Sequence, residues 1–330
     1  MIRTVYIVVS RLLLGALTVV WMAPNATAQQ DPQFSLYMYN PLYYNPAAAG
    51  SEGVSRLQIT QRTQYLGYQP TIASDGGAQS TQLLSFNMPL AKIKSGIGIY
   101  AFNDKLGANI NQAVQVAYAY RLTLKSGTLA LGVQAGMYNR GINYGELFRA
   151  RQPDDDRIPT GSVSQAKPDL SAGVYYNTTD YWLGVSVTHL NGAKYSFVTD
   201  RSTEPLDRTV NLTAGYRLGF GYDFDVQPSV LVQYSTVAGI GGSTVSANMI
   251  STYQNRYWFG VGYRLGDALL FTAGANFGRS NAFRFGYSFD LTAGGAGAKS
   301  PTSHEILLGY ALPAPDARKK PIVRTPRFRY

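Results

Sequence analysis

Residues 109–138 read NINQAVQVAYAYRLTLKSGTLALGVQAGMY, and the alternation in this stretch decides the fold. Ile110, Val114, Val116, Tyr118, Tyr120 and Leu122 share one parity, while Asn111, Ala113, Gln115, Ala117, Ala119 and Arg121 share the other. After a turn around Lys125, Ser126 and Gly127, the residues Leu129, Leu131, Val133, Ala135 and Met137 alternate with Thr128, Ala130, Gly132, Gln134 and Gly136. Successive strand side chains point to opposite faces, so each arm has one greasy face and one small or polar face. A soluble sandwich shows the same alternation. Arms of roughly 10 residues are the length a tilted strand needs to cross a bilayer, and this favours a membrane barrel.

Composition agrees. Hydrophobic residues make up 45% of the 330, yet the chain beyond residue 28 has no unbroken apolar run of the ~18 residues a spanning helix requires. Any crossing must therefore use strands. Tyr 25, Phe 14 and Gly 34 suit aromatic girdles and a lumen of small residues, and Cys 0 excludes disulfides and thiolate metal sites.

Residues 1–28 read as a secretory signal, with Arg3 and Arg11 in a positive leading region, an apolar core from Leu12 to Met22, and Ala26-Thr27-Ala28 as a small-x-small cleavage site. The core is too short for a membrane anchor. A segment at 29–52, a barrel at 53–312 and a tail at 313–330 are expected to follow. Of the net charge of +10, the tail carries six basic residues and one acidic. Its prolines Pro313, Pro315, Pro321 and Pro326 favour an extended basic arm on the periplasmic side. Export and strand alternation oppose nucleic acid as the partner of this charge.

From Val54 onward about fourteen strands can be counted, and the fold class is a transmembrane antiparallel β-barrel of the outer membrane. In Arg256 to Leu265 the residues Phe259, Val261 and Tyr263 are expected to face lipid, so Val261→Arg should block assembly while Gly262→Ser is tolerated. Arg264, Arg284 and Asp290 must face the lumen, since charge in lipid costs several kcal/mol near the midplane. Gaps after odd strands, including Asn139 to Lys167, are long, and gaps after even strands are short, which places the long loops outside. Gly266 and Asp267 form an exception, a very short outer gap.

Catalysis finds little support. His189 at a strand end and His304 opening the last strand sit in no motif with a nucleophile or metal ligand, and both read as structural. Asp154-Asp155-Asp156 lacks the alternation of a calcium loop, and the glycines of Gly294 to Gly297 lack the partners of a phosphate cradle. No cofactor, no metal and no enzymatic activity are expected.

The stretch from Gln30 to Gly50, QDPQFSLYMYNPLYYNPAAAG, differs from all that follows. Pro32, Pro41 and Pro46 exclude a central strand, and Asn40-Pro41 and Asn45-Pro46 mark turns. Phe34, Tyr37, Tyr39, Tyr43 and Tyr44 are too aromatic for a solvated linker. The segment is either a plug or cap packed on its own barrel, or a docking surface for a partner.

At this motif the chain resembles the PorP/SprF family of type IX secretion system membrane proteins of Bacteroidetes. The resemblance rests on Asp31-Pro32-Gln33-Phe34-Ser35, Tyr39-Asn40-Pro41, Tyr43-Tyr44-Asn45-Pro46-Ala47 and Gly50. It extends through Gly262 to Ala268, Phe285 to Asp290, and Ser303-His304-Glu305-Ile306. It implies an outer-membrane barrel serving secretion or gliding, whose partners are periplasmic ring or lipoprotein components and a secreted surface protein or adhesin. It brings no catalytic residues. Asp31, Pro32, Phe34, Tyr39, Asn40, Pro41, Tyr43, Tyr44, Asn45, Pro46 and Gly50 are the candidate docking residues. The rival expectation is a transporter or porin for small or hydrophobic solutes, which would need a continuous lumen.

Overall fold

The computed structural model describes residues 31–68, 78–144, 161–197, 204–236, 243–293 and 302–313. The expected signal sequence, Asp154 to Asp156, Gly294 to Gly297 and nearly all of the basic tail lie outside the described residues. Seven strands come first: β1 (Arg56–Gln64), β2 (Gln79–Leu90), β3 (Ser95–Leu106), β4 (Asn109–Thr123), β5 (Thr128–Asn143), β6 (Ser162–Asn177) and β7 (Tyr181–Thr188). The next connection carries a two-residue pair, β8 (Lys194–Tyr195) with β9 (Glu204–Pro205). Then β10 (Thr209–Tyr216) continues past Arg217 as β11 (Leu218–Phe220). The wall is completed by β12 (Phe224–Ser235), β13 (Ser243–Tyr253), β14 (Tyr257–Arg264), β15 (Ala268–Phe277), β16 (Phe283–Thr292) and β17 (Thr302–Ala311).

Neighbours pair antiparallel in sequence order, and β1 pairs with β17, so the sheet closes. With β10 and β11 taken as one strand the barrel has fourteen. No helix among the described residues is long and apolar enough to cross a membrane. The predicted alternation is the observed one: on β4, Ala113, Gln115, Ala117 and Ala119 are buried, while Val114, Val116, Tyr118 and Tyr120 lie exposed. Val133 on β5 is 60% exposed and Val261 on β14 is 49% exposed. Such an apolar exterior on these strands is the lipid-facing wall of an outer-membrane barrel.

Arg264 and Asp290 are buried in the lumen and Arg284 is nearly so, as their parity requires. Turns after β2, β4, β6, β11, β13 and β15 are short, three to five residues each. The outer connections are mostly longer, with two exceptions. Residues 107–108 turn on Gly107 at φ +56°. The Gly266 turn works because Gly266 takes φ +70° and Asp267 pairs with Arg264 at 3.2 Å while accepting from the Tyr65 hydroxyl at 2.9 Å.

Two expectations are corrected. The gap read from Asn139 to Lys167 is shorter, because β5 runs on to Asn143 and β6 starts at Ser162, with Asn139 paired to Ala166. Above the membrane neither face of a strand needs to be apolar, so these ends carry no alternation to read. Gly262→Ser is not a neutral change. A Cβ there would lie 1.7 Å from Asn248 Oδ1 and 2.7 Å from the Ala247 carbonyl oxygen. Val261→Arg retains its expected effect, a cost of about 2–4 kcal/mol near the midplane. We expect loss of the heat-modifiable band on gels, with Val261→Leu as the tolerated control. Normal assembly of Val261→Arg would mean the register is wrong.

Candidate functional site: the N-terminal segment in the lumen

Residues 31–50 fold inside the barrel. Proline sets their local structure: Pro41 and Pro46 each occupy the start of a short helical turn, Pro41–Tyr44 and Pro46–Ala48, where a missing N–H costs nothing. Asn45 caps the second turn by accepting from Ala47 N–H at 2.9 Å. Its amide nitrogen then donates to the carbonyls of Val174 and Val185, at 3.0 and 3.3 Å, which ties the turn to β6 and β7.

The rings expected to need a partner find it in one another and in the wall. Tyr43 packs edge-on against Phe34 at 5.2 Å, Tyr44 at 4.9 Å and Tyr100 at 5.4 Å. Its hydroxyl donates to the Pro32 carbonyl at 3.1 Å, and the Tyr44 hydroxyl accepts from Phe34 N–H at 3.1 Å. Tyr39 lies on Trp258 at 4.6 Å, with the Arg284 guanidinium 4.8 Å from its ring centre. Lower down, the small residues allow the closest approach. A Cβ on Gly132 would lie 2.2 Å from Ala47 N, and one on Gly96 would lie 2.2 Å from the Ala49 carbonyl oxygen. Gly50 N–H donates to Asn87 Oδ1 at 2.6 Å at the periplasmic end.

Two polar anchors hold the other end. At the first, Arg62 of β1 pairs with Asp290 of β16 at 2.8 Å and Glu305 of β17 at 3.1 Å. Arg264 of β14 approaches Asp290 at 3.8 Å. Ser35 sits in the middle of these four buried charges. Its hydroxyl donates to Asp290 at 2.6 Å and accepts from Arg62 at 2.8 Å and Arg264 at 2.9 Å. The N–H groups of Ser35 and Leu36 donate to Glu305 at 2.7 and 3.1 Å. Two cations and two carboxylates balance, which is what makes such burial tolerable.

At the second anchor, His189 Nε2 meets Asp31 at 2.8 Å and Nδ1 meets Asp169 at 2.9 Å. Asp169 also accepts from the Gln115 amide at 2.7 Å. His189 takes φ +57°, an uncommon conformation for a non-glycine residue. Just beyond it, Tyr195 and Leu206 fold inward and are buried, with the Tyr195 hydroxyl donating to the Tyr138 carbonyl at 2.8 Å. The connection after β7 thus covers the outer mouth of the lumen.

Asp31 and His189 both lie outside the membrane-spanning strands, and each supports the charge of the other. Burial opposes protonation of His189, but Asp31 and Asp169 outweigh it and raise its pKa to about 10. Burial pushes the Asp31 carboxyl up, and His189 more than reverses this, leaving it lowered. A raised histidine contributes stability that is complete below its unfolded value of about 6.5 and is lost as pH rises through about 10. A lowered carboxylate contributes stability that is complete above its unfolded value and is lost as pH falls through its folded one. The clasp should therefore hold at neutral pH and open above about pH 10, a transition that a fluorophore attached beside Asp31 should report. His189→Gln should abolish that transition; an unchanged alkaline transition in the variant would assign it to other groups.

A family model described as type IX secretion system membrane protein PorP/SprF matches residues 26–310. The chain belongs to this family. The match covers the N-terminal segment and the barrel up to the last residue but one of its final strand, and the family is an outer-membrane component of the type IX secretion system. No curated protein matches the chain. Among solved structures, the Ralstonia pickettii toluene transporter TbuX is 14% identical, with 84% of this chain and 94% of that chain covered and a TM-score of 0.48. The P. putida toluene transporter TodX is 10% identical, with 87% and 96% covered and a TM-score of 0.46. These barrels are similar in outline only.

In this PorP/SprF protein the structure brings together every segment residue singled out from the sequence. Phe34, Tyr43, Tyr44, Asn45, Pro46 and Gly50 are buried, as is Asn40, and Asp31, Tyr39 and Pro41 are nearly so. Pro32 is buried beside them. His189 proves to be an anchor of the segment. His304 faces outward, its Nδ1 against the Tyr287 hydroxyl at 2.7 Å. The wall partners Arg62, Asp169 and Glu305 were not among the predicted site residues. Their available signal was charge on an inward parity, the same signal that placed Arg264 and Asp290.

Proposed function

We propose that this PorP/SprF protein acts as a closed barrel that holds a secreted surface protein or adhesin at its outer rim. Its periplasmic turns and basic tail would engage ring or lipoprotein components of the secretion machinery. The observation that carries this reading is the filled lumen, occupied from Asp31 and the outer anchors down to Gly50. A cavity of about 20 Å³ remains beside Asp31, Tyr43, Tyr138 and His189, room for about one water. A ligand pocket would need several hundred Å³. The rival reading, a solute transporter, needs a continuous lumen, and among the described residues the segment occupies that space; no catalytic role is assigned.

We further propose that the Pro- and Tyr-rich motif of the segment works through its fold. With its rings turned to the wall, the part left to meet a periplasmic partner is its foot, around Glu52 and the exposed Gly53. Purification of the intact protein from native outer membrane tests the function. Co-purification of secretion-machinery components and a secreted surface protein is expected, and deletion of Ala317 to Tyr330 should lose the periplasmic ones. An isolated protein that mediates solute flux in liposomes would reverse the reading.

A further inference from the structure

The lipid-facing exterior is not uniform around the barrel. On β16 the five outward positions are Phe283, Phe285, Tyr287, Phe289 and Leu291, an unbroken apolar stripe. Two strands away, β1 has nine residues, about the length that crosses one bilayer. Its outward positions are Leu57 and Ile59, then Gln61 and Thr63, so half of them are polar. His304 lies opposite Thr63.

Gln61 begins a ladder of amides in direct cross-strand register: Gln61 with Gln82 on β2, Gln82 with Asn103 on β3, Asn103 with Gln112 on β4, and Gln112 with Asn139 on β5. Their side chains bond in one direction. Asn139 donates to Gln112 at 3.2 Å, Gln112 to Asn103 at 2.8 Å, and Asn103 to Gln82 at 2.8 Å. Gln82 and Gln61 both donate to the Ser80 hydroxyl, at 2.9 and 3.2 Å, and Gln61 also to the Arg62 carbonyl at 3.2 Å. Asn139 and Gln112 lie where the strands leave the membrane, but Gln61, midway along β1, retains hydrogen-bonding capacity that acyl chains cannot meet.

We propose that this face of β1–β5 is the interface between two copies of the chain in the outer membrane. No Asp, Glu, Lys or Arg stands in the ladder, so nothing in it selects a charged partner or repels its own copy. Every ladder group is both donor and acceptor, which makes the face complementary to itself. A two-fold axis along the membrane normal would also set the two ladders antiparallel, so that their aligned amide dipoles attract.

The chain has no cysteine, so single introduced cysteines give a clean readout in native membranes. Gln82→Cys or Asn103→Cys should form a disulfide-linked dimer on oxidation, while Val185→Cys, outward on β7 and two strands beyond the ladder, should stay monomeric. The triple variant Gln61→Leu, Gln82→Leu, Asn103→Leu should keep its heat-modifiable band, and a cross-linker that joins wild-type copies should yield only monomer from it. Absence of dimer at both ladder positions, or equal dimer from Val185→Cys, overturns the proposal. So does a benzophenone attached at Gln82→Cys that captures only lipid or only a different protein.

Discussion

Replacing Arg62 with methionine should cost about 3–5 kcal/mol, the largest effect expected of any single change in the lumen. The side chain is 1% exposed and bridges Asp290 and Glu305, whose own partners would then be reduced to Arg264 and the hydrogen bonds of Ser35, Leu36 and Ser288. The loss leaves one buried carboxylate without a counter-charge. A double variant, Arg62→Met with Glu305→Gln, removes one charge of each sign and should recover part of the loss in urea unfolding. Strictly additive losses would mean that the four charges do not act as one unit.

Gly132→Leu should expel the lower part of the segment while leaving the wall intact. The glycine faces inward with Ala47 directly over it, and even a single Cβ would sit 2.4 Å from Ala47 Cα. Backbone on backbone cannot relax by a rotamer change, so the segment must move, at more than the usual ~1–3 kcal/mol of overpacking. The variant should still show heat-modifiable migration, and chymotrypsin should cut it at Tyr43 or Tyr44, beside the displaced Ala47, which the wild type protects. Equal protection in both proteins would place the segment elsewhere.

The wall was legible because lipid on one side and a packed lumen on the other impose a strict two-residue period, and β4, β14 and β16 follow it. Strand ends were less legible. Pro168 lies within β6, paired with Met137 at an outward position, and a proline there reads as a break. Asp169 was hidden with it. The segment announced that it must pack, through its rings and prolines, but not on what. Ser35 and Glu305 are 270 residues apart, and no local pattern links a serine in a turn to a glutamate in the last strand. Arg62 lies on β1, where polar outward residues blur the alternation. The same outward residues, Gln61 and Thr63, now mark the proposed interface, so the failure of the pattern on β1 carries information of its own.

Conductance across a planar bilayer tests the closed lumen most directly. The full-length protein should insert without a steady current, whereas a chain lacking residues 31–50 should conduct as an open channel does. A full-length protein that conducts as well as the variant without its segment would contradict the account.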